Sequence, residues 1–187
     1  STCAASVLIF RKKPKDILEE ITGERIQGFR APNFSISDKL VKILTELRFS
    51  YDSSLCNANI LRQYGKLENF EFGNAHCFKL TENFFELQLP TLNLLKYSIP
   101  WAGGAMFRFI PYWIFKIGID RIILNNSFYN FYIHPWELDP LQPRINEINY
   151  KKRLKHYHNL DSTERKFIQL LKDFNFLPLK EYLADVK

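Results

Sequence analysis

The sequence predicts a single α/β domain, residues 1–187, built around a parallel sheet. Two short strands flank an amphipathic helix between residues 26 and 51, and this strand-helix-strand order is the unit of a parallel sheet. An aromatic and β-branched run at residues 131–133 predicts a further buried strand that ends at His134. With 187 residues and 46% hydrophobic content, the chain is long enough for one domain with a real core and too short for two.

The first strand follows a short amphipathic helix. Residues 16–22 have the pattern of the last turns of a helix, and Gly23 suits the left-handed position just beyond its end. Residues 26–29 then predict a strand, and the chain leaves its end carrying the guanidinium of Arg30 and the rigid ring of Pro32.

The second strand follows a longer amphipathic helix. Ser37 or Asp38 can cap this helix, and its apolar side chains make a wide face. Residues 49–51 are short and alternating, so they predict the next strand, with Asp52 at its end. The apolar residues of the helix are Leu40, Val41, Ile43, Leu44 and Leu47.

The middle of the chain gives weaker signals. Residues 56–80 have mixed polarity and no sustained period, so they predict long loops with at most one short strand. Residues 84–89 alternate aromatic and polar side chains before Pro90 and predict a strand. Gly103 and Gly104 precede a helix-like run at residues 105–117, and they suit either an ordinary helix start or a turn that contacts substrate.

The C-terminal part predicts another helix, preceded by two histidines. Asp161 or Ser162 can cap this helix, which continues with apolar residues at 167–174. His156 and His158 lie two positions apart, and on a strand this spacing would point both rings the same way, toward a shared metal. No carboxylate or cysteine with companion spacing is nearby, so surface or capping histidines are the simpler interpretation.

His134 is the candidate catalytic residue at the end of the strand predicted at residues 131–133. Chemistry in α/β sheets lies beyond the carboxyl ends of the strands, and a histidine exchanges protons near neutral pH. Pro135, with its fixed φ, would direct the segment that follows. The alternative is a core histidine with both ring nitrogens satisfied.

The charge pattern makes nucleic-acid binding a weak option. The net charge is +6 and the pI about 9.2, but Lys and Arg are spread along the chain. The densest basic group is Lys151, Lys152, Arg153 and Lys155.

The cysteines and the hydropathy predict a cytoplasmic protein. Cys3, Cys56 and Cys77 are odd in number and have no Cys-x-x-Cys spacing, which argues against a disulfide framework and a structural zinc site. No apolar run reaches the ~20 residues that cross a bilayer. Residues 1–10 have no basic residues ahead of their apolar stretch and make a poor signal peptide.

Several segments, in this order, resemble the C-terminal part of a polysaccharide deacetylase of the kind found in exopolysaccharide gene clusters. The resemblance covers about residues 16–179, and the ordered set is more specific than any one motif. Its segments are GFRAPNFSI at 28–36, YDSS at 51–54, AGG at 102–104, FR at 107–108, PY at 111–112, HPWELDP at 134–140, HY at 156–157, NL at 159–160 and TE at 163–164.

The resemblance implies a partial, distorted (β/α) barrel and metal-dependent hydrolysis of an N-acetyl or O-acetyl group on a carbohydrate. In that mechanism a water on a divalent metal, zinc or similar, attacks the acetyl carbonyl while an aspartate acts as base. By resemblance, Arg30 orients the base, Asp52 is an acidic partner of that arginine, and His134 protonates the leaving group. The substrate-binding residues implied are Pro32, Gly103, Gly104 and Trp136.

The chain also departs from the family pattern. Residues 1–15 contain no Asp-Asp pair and no histidine, so the base and the metal ligands are missing, as are the first strands of the barrel. The resemblance therefore implies that this chain is inactive alone and that its partners are a carbohydrate and either a missing N-terminal part or another subunit. Tyr132 stands where the family often has leucine, which would alter the slot for the acetyl methyl group.

Three functions remain open from the sequence. The first is a deacetylase whose acid-side residues lie in this chain. The second is a catalytically dead relative that binds carbohydrate, with Trp101, Tyr112 and Trp136 stacked on sugar rings, although core packing is the simpler interpretation of the first two. The third is a basic RNA-binding or scaffold domain that uses residues 151–155, but the sequence lacks an aromatic stacking motif of the RNP kind.

Overall fold

The computed structural model describes residues 13–58, 67–68, 76–145 and 147–186. The chain divides into two compact units, each of which is described by itself below. The first comprises Ser1–Leu55 and Gln63–Gln88, and the second Cys56–Arg62 and Leu89–Lys187. One domain can contain two such units, so the single-domain expectation stays a prediction.

The first unit begins with a helix, which is followed by one strand-helix-strand step and a pair of antiparallel strands. Its helix α1 covers residues 13–22 and ends where Gly23, at φ +67°, donates its N–H to Glu19 O at 2.9 Å. Helix α2 is capped by Ser37, whose hydroxyl accepts a hydrogen bond from Leu40 N at 3.3 Å. The elements after α1 are β1 (Gly28–Phe29), a 3-10 turn (Pro32–Phe34), α2 (Asp38–Glu46), β2 (Tyr51–Asp52), β3 (Cys77–Thr81) and β4 (Phe84–Leu87).

The strands of the first unit form a mixed sheet in the order β1-β2-β4-β3. Strand β2 pairs in parallel with both β1 and β4, whereas β3 pairs antiparallel with β4 through a tight turn. The predicted parallel sheet is therefore confirmed in part, because helix α2 returns the chain to the same end of the sheet. Among the described residues, the sheet does not close into a barrel.

Apolar residues of α2 pack against the first sheet. Leu40, Val41 and Leu44 are buried together with Phe49, just before β2, and Phe84, which begins β4. The hydrophobic face predicted for α2 is thus the face that covers the sheet. This packing fixes the residues that follow the parallel strands.

The second unit combines a hairpin with five helices. Its core contains Trp101, Phe107, Phe115, Ile119 and Leu170, contributed by three of the helices and the end of the hairpin. The elements are β5 (Thr91–Leu94), β6 (Tyr97–Pro100), α3 (Gly104–Phe109), α4 (Tyr112–Asn126), a 3-10 turn (Pro135–Leu138), α5 (Tyr150–Tyr157), α6 (Leu160–Asp173) and α7 (Leu179–Val186).

Three local predictions for the second unit are wrong. The single helix expected at residues 105–117 is two helices, since Pro111 cannot donate a backbone hydrogen bond and starts α4 instead. Residues 131–133 do not form a regular strand, and Tyr132 makes only an isolated parallel bridge to Gly103. Helix α6 begins after Asn159, two positions before the predicted cap, and Asn159 adopts the left-handed conformation.

Two sequence-level expectations concern surroundings rather than fold. In the part of the chain that the structure describes, no helix has the length and apolar character needed to cross a membrane. Cys56 and Cys77 are free thiols, and burial raises the pKa of the Cys56 thiol to about 11, which keeps it protonated. Cys3 and the poor signal sequence at residues 1–10 lie outside the described residues.

Candidate functional site: a histidine supported by a buried ion pair

His134 lies at the N-terminal end of the 3-10 turn Pro135–Leu138. It has extended backbone angles, φ −96° and ψ 145°, and Pro135 occupies the first position of the turn. Its side chain is 52% exposed. The interpretation of His134 as a buried core residue is therefore wrong, and its ring is accessible to a ligand.

Glu137 holds the ring and the backbone of His134. The turn places Glu137 three residues later, where its Oε2 lies 3.0 Å from Nδ1 of His134 and also accepts the His134 backbone N–H at 3.0 Å. An ionised Glu137 accepts hydrogen bonds only, so Nδ1 carries the proton in this contact. That assignment leaves Nε2 as the acceptor nitrogen of a neutral His134 ring.

Arg108, in the last turn of α3, forms a buried ion pair with Glu137. Its Nε donates to Glu137 Oε1 at 2.8 Å, and the two side chains are only 2% and 1% exposed. The other guanidinium nitrogens donate to the carbonyl oxygens of Lys155, His156 and His158, at 2.9, 2.8 and 3.1 Å. These carbonyls lie at the C-terminal end of α5, where helix carbonyls lack partners and the helix dipole favours a cation.

Trp136 lies beside His134 and also contacts the ring of His156 and the guanidinium of Arg108. His156 stacks on Trp136 with ring centroids 4.2 Å apart, and the ring of His134 is 5.7 Å away at an angle of 27°. The Arg108 guanidinium carbon lies 5.0 Å from the Trp136 ring centroid, close enough for a cation–π contact. His156 is fixed in turn by Gln142, whose Oε1 is 2.9 Å from Nε2.

The two histidines before α6 do not share a strand. His156 belongs to the last turn of α5 and His158 follows its end, so their spacing does not point both rings the same way. The ring of His158 stacks on Phe109 at 4.3 Å, whereas that of His156 stacks on Trp136. The interpretation as structural histidines fits this arrangement.

Gly103 and Gly104 attach the segment before His134 to the start of α3. Gly103 has φ +132°, and a Cβ there would lie 2.0 Å from the carbonyl oxygen of Tyr132. Tyr132 N donates to Ala102 O at 2.9 Å in the same contact. The glycines are therefore explained by close backbone packing, and their predicted contact with substrate stays a prediction.

In the first unit, Arg30 binds the residue that follows β2. Its Nε donates to Ser53 O at 2.7 Å and its Nη2 to Ser53 Oγ at 2.8 Å. Ser53 Oγ in turn donates to Leu87 O at 2.8 Å. Pro32, two residues after Arg30, starts the short 3-10 turn. Arg30, which follows β1, is thus joined to Ser53 after β2 and, through Ser53, to the last residue of β4. These are three neighbouring strands of the sheet.

Asp52 forms a buried carboxyl pair with Glu86, its register partner on β4. Both side chains are fully buried, and Ser54 N donates to one oxygen of each, at 3.1 Å for Asp52 and 3.0 Å for Glu86. Burial and the Asp52 charge raise the pKa of Glu86 well above its ordinary range, and burial also raises the pKa of Asp52. Within the described residues, the buried Oε2 of Glu86 has no hydrogen-bond partner, which favours the uncharged, protonated form of Glu86 beside Asp52.

The sequence interpretation missed three of these residues. Glu86 lies in the strand predicted at residues 84–89, and only the structure shows that it is buried and paired with Asp52. Glu137 could have been found from the sequence, because an acidic residue three positions after the residue that caps a helix is typical of a helix start. Arg108 had no local signal, since its carboxylate partner is 29 residues away.

The structure brings only some of the predicted site residues together. His134, Trp136, Gly103 and Gly104 belong to the second unit, whereas Arg30, Pro32 and Asp52 belong to the first. Within the described residues, no group of three or more His, Cys, Asp or Glu side chains is arranged to hold a metal ion.

Comparison with known proteins places the His134 site inside a recognised domain. No curated protein and no solved structure matches this chain. A family model with the description "Domain of unknown function (DUF3473)" matches residues 58–184, a range that includes Glu86, Arg108, His134 and Glu137. Because that match covers more than half of the 187 residues, the chain belongs to the family described as Domain of unknown function (DUF3473).

Proposed function

We propose that this chain carries the acid-side residues of a metal-dependent polysaccharide deacetylase. One observation supports the proposal above all: an exposed histidine is held by a buried carboxylate, which is held by a buried arginine. The ordered segments that resemble the family supply the reaction class. The substrate is an acetylated carbohydrate, and the bond cleaved joins the acetyl group to a sugar nitrogen or oxygen.

In this proposal His134 is the general acid. Its Nε2 donates a proton to the sugar nitrogen or oxygen as the bond to the acetyl carbon breaks. Glu137 accepts a hydrogen bond from Nδ1–H of His134 throughout the reaction. This hydrogen bond fixes the ring orientation and stabilises the doubly protonated ring before Nε2 gives up its proton. Arg108 holds Glu137 in place, so it is a positioning residue rather than a catalytic one.

Neither the general base nor the metal ligands are among the residues named in this proposal. A divalent metal, when bound, would supply an activated water for attack on the acetyl carbonyl. The described residues do not fit such a metal, so no step is derived through it. Arg30 and Asp52 keep their proposed roles beside the base, and the parallel strands β1, β2 and β4 support a partial barrel as the framework that carries them.

A second candidate function is carbohydrate binding without hydrolysis. It is favoured by Trp136, which is partly exposed beside His134 and forms a stacked surface with His156. Trp101 does not contribute, because it is buried against Phe115 and donates its ring N–H to Phe115 O at 3.0 Å. Tyr112 is also engaged, through its hydroxyl, with Asp173 at 2.7 Å.

The test is acetate release from N-acetylated chitooligosaccharides by the protein expressed from its natural reading frame, with zinc or cobalt added. We expect release that His134→Ala reduces roughly 10²–10⁴-fold in kcat with little change in KM, the usual loss for a general acid. We expect Arg30→Ala to lower kcat as well. The 187-residue chain alone should release no acetate.

Two outcomes would contradict the proposal. A folded His134→Ala protein with nearly full activity would remove His134 from the mechanism. A natural-frame protein that binds the oligosaccharides but releases no acetate, with either metal, would favour the second candidate.

A further inference from the structure

A cavity of about 350 Å³ lies at one side of α5 and is rich in cationic and aromatic groups. This volume is within the range of ordinary small-ligand sites. The cavity, called here the arginine pocket, is lined by Arg144, Tyr150, Arg153, Leu154, Tyr157 and His158. None of these six side chains takes part in the proton transfer proposed above, so the pocket can bind a group other than the one that reacts.

The two arginines of the pocket are held by aromatic rings rather than by acids. The Arg144 guanidinium carbon lies 5.5 Å from the Tyr157 ring centroid, and that of Arg153 lies 5.9 Å from the Tyr150 ring centroid. In the ranges that the structure describes, neither guanidinium forms an ion pair with a carboxylate. Two uncompensated guanidinium groups on one cavity favour an anionic ligand.

Tyr157 fixes the loop that carries Arg144. Its hydroxyl accepts a hydrogen bond from Ile145 N at 3.0 Å and donates one to Pro143 O at 3.2 Å. These bonds hold the backbone on both sides of Arg144 against α5. The arginine pocket is therefore preorganised on one helix and one anchored loop, which lowers the entropic cost of binding.

A continuous row of rings connects the arginine pocket to His134. The ring of His134 is 5.7 Å from that of Trp136, which stacks on His156 at 4.2 Å. His156 contacts Tyr157, a wall of the pocket, with ring centroids 4.6 Å apart. A carbohydrate chain that follows this row could place one sugar at His134 and another sugar of the same chain at the arginines.

We infer that the arginine pocket binds the carboxylate of an acidic sugar in the glycan whose acetyl group lies at His134. The inference rests on the proposed function, because it takes His134 as the reacting end of the row. A carboxylate suits the pocket, since a planar guanidinium pairs with it through two parallel hydrogen bonds. The chain would thus select acetylated polysaccharides that contain uronic acids over neutral ones.

The experiment measures binding by isothermal titration calorimetry on the 187-residue chain. The probes are a hyaluronan tetrasaccharide, which alternates glucuronate with N-acetylglucosamine, and tetra-N-acetylchitotetraose, which is neutral and of equal length. We expect the acidic probe to bind about tenfold more tightly, which corresponds to about 1.4 kcal/mol. Arg144→Gln and Arg153→Gln should each remove most of this preference.

Lys151→Gln and Lys152→Gln are the matched controls. Both lysines are exposed on α5, and each substitution removes one positive charge near the pocket without altering its lining. We expect these controls to change the acidic-probe affinity less than about twofold, because exposed charges act weakly through water. Arg144 and Arg153 are exposed too, so their variants should fold, which circular dichroism checks.

Several results would overturn the inference. Equal affinity for the two probes, or equal losses in the arginine and lysine variants, would show a general charge effect. Inorganic phosphate that displaces hyaluronan at equal concentration would assign the pocket to phosphate, and tighter binding of a homopolymeric RNA that the arginine variants abolish would assign it to nucleic acid. Acidic-probe binding by the 187-residue chain, together with no acetate release by the protein expressed from its natural reading frame, would leave the pocket assignment intact and overturn the proposed deacetylation alone.

Discussion

Arg108 and Glu137 form an ion pair with an Nε to Oε1 distance of 2.8 Å, although both side chains are almost completely excluded from water. Removing two charges from water is costly, and their attraction compensates only when further hydrogen bonds complete the arrangement. The pair meets that condition, because Arg108 also donates to three backbone carbonyls at the end of α5 and Glu137 binds His134 twice. The ion pair therefore joins α3, α5 and the turn of His134.

Glu137→Gln should destabilise the protein strongly. The substitution leaves the Arg108 guanidinium buried without an anion, and breaking a buried pair typically costs about 3–5 kcal/mol. The measurement is the free energy of unfolding from urea denaturation. Glu164→Gln, an exposed change on α6, should stay within about 0.5 kcal/mol of the unmodified protein. A Glu137→Gln protein as stable as that control would show that the pair does not support the fold.

His134→Ala should leave the fold nearly as stable as before. About half of its side chain is in water, at 52% exposure, so truncation removes little packing. We expect the free energy of unfolding to fall by less than about 1 kcal/mol. Phe107→Ala is the contrasting variant, since Phe107 is 1% exposed in the same unit and its loss should cost about 3–5 kcal/mol. An insoluble or unfolded His134→Ala protein would support a structural role for the histidine.

Glu86→Gln should weaken the dependence of stability on pH. The pKa of Glu86 is raised in the folded protein, so between its ordinary value of 4.5 and the raised value the folded state holds a proton that the unfolded chain has lost. Stability is therefore greatest below the unfolded pKa and falls as the pH rises through the folded pKa, by up to about 1.4 kcal/mol per pH unit for one proton. A glutamine cannot titrate, and its amide can donate to Asp52.

The change in the free energy of unfolding with pH is measured from unfolding curves at several pH values between about 4 and 9. This range spans the titration of one carboxyl group whose pKa is raised in the folded protein. The matched control is Glu82→Gln, in the exposed turn between β3 and β4, which should keep the slope of the unmodified protein. A Glu86→Gln protein with an unchanged slope would mean that the buried pair does not take up a proton on folding.

Gly103→Ala should be far more damaging than Gly104→Ala. A methyl group at Gly103 would lie 2.0 Å from the backbone oxygen of Tyr132, which cannot rotate away, whereas at Gly104 the closest atom is the Tyr132 hydroxyl at 2.9 Å. We expect a loss of roughly 3 kcal/mol or more at Gly103 and about 1 kcal/mol at Gly104, where the left-handed conformation is the main cost. Thermal unfolding of both variants provides the comparison, and equal losses would contradict the contact with Tyr132.

Local signals in the sequence were sufficient where neighbours along the chain decide the structure. The caps at Gly23 and Ser37, the apolar face of α2 and the parallel pairing of β1 with β2 all follow from residues within one strand-helix-strand unit. The pattern failed at residues 131–133, where an aromatic run predicted a strand. Phe131 instead packs in the helical core, where its ring centroid lies 5.1 Å from that of Phe107 and 6.0 Å from that of Phe167. Aromatic residues pack equally well in either setting, so periodicity could not separate the two.

The candidate site divides in the same way. From the sequence alone, His134 could be singled out and Glu137 could be seen to lie one short turn away, because both depend on the HPWE segment itself. Whether the histidine was exposed, and whether Glu137 and Glu86 were buried, depended on partners far along the chain: Arg108 for Glu137 and Asp52 for Glu86. Burial and charge pairing are properties of the folded arrangement, since a carboxylate can lose its water only where the tertiary structure supplies a guanidinium or a shared proton in its place.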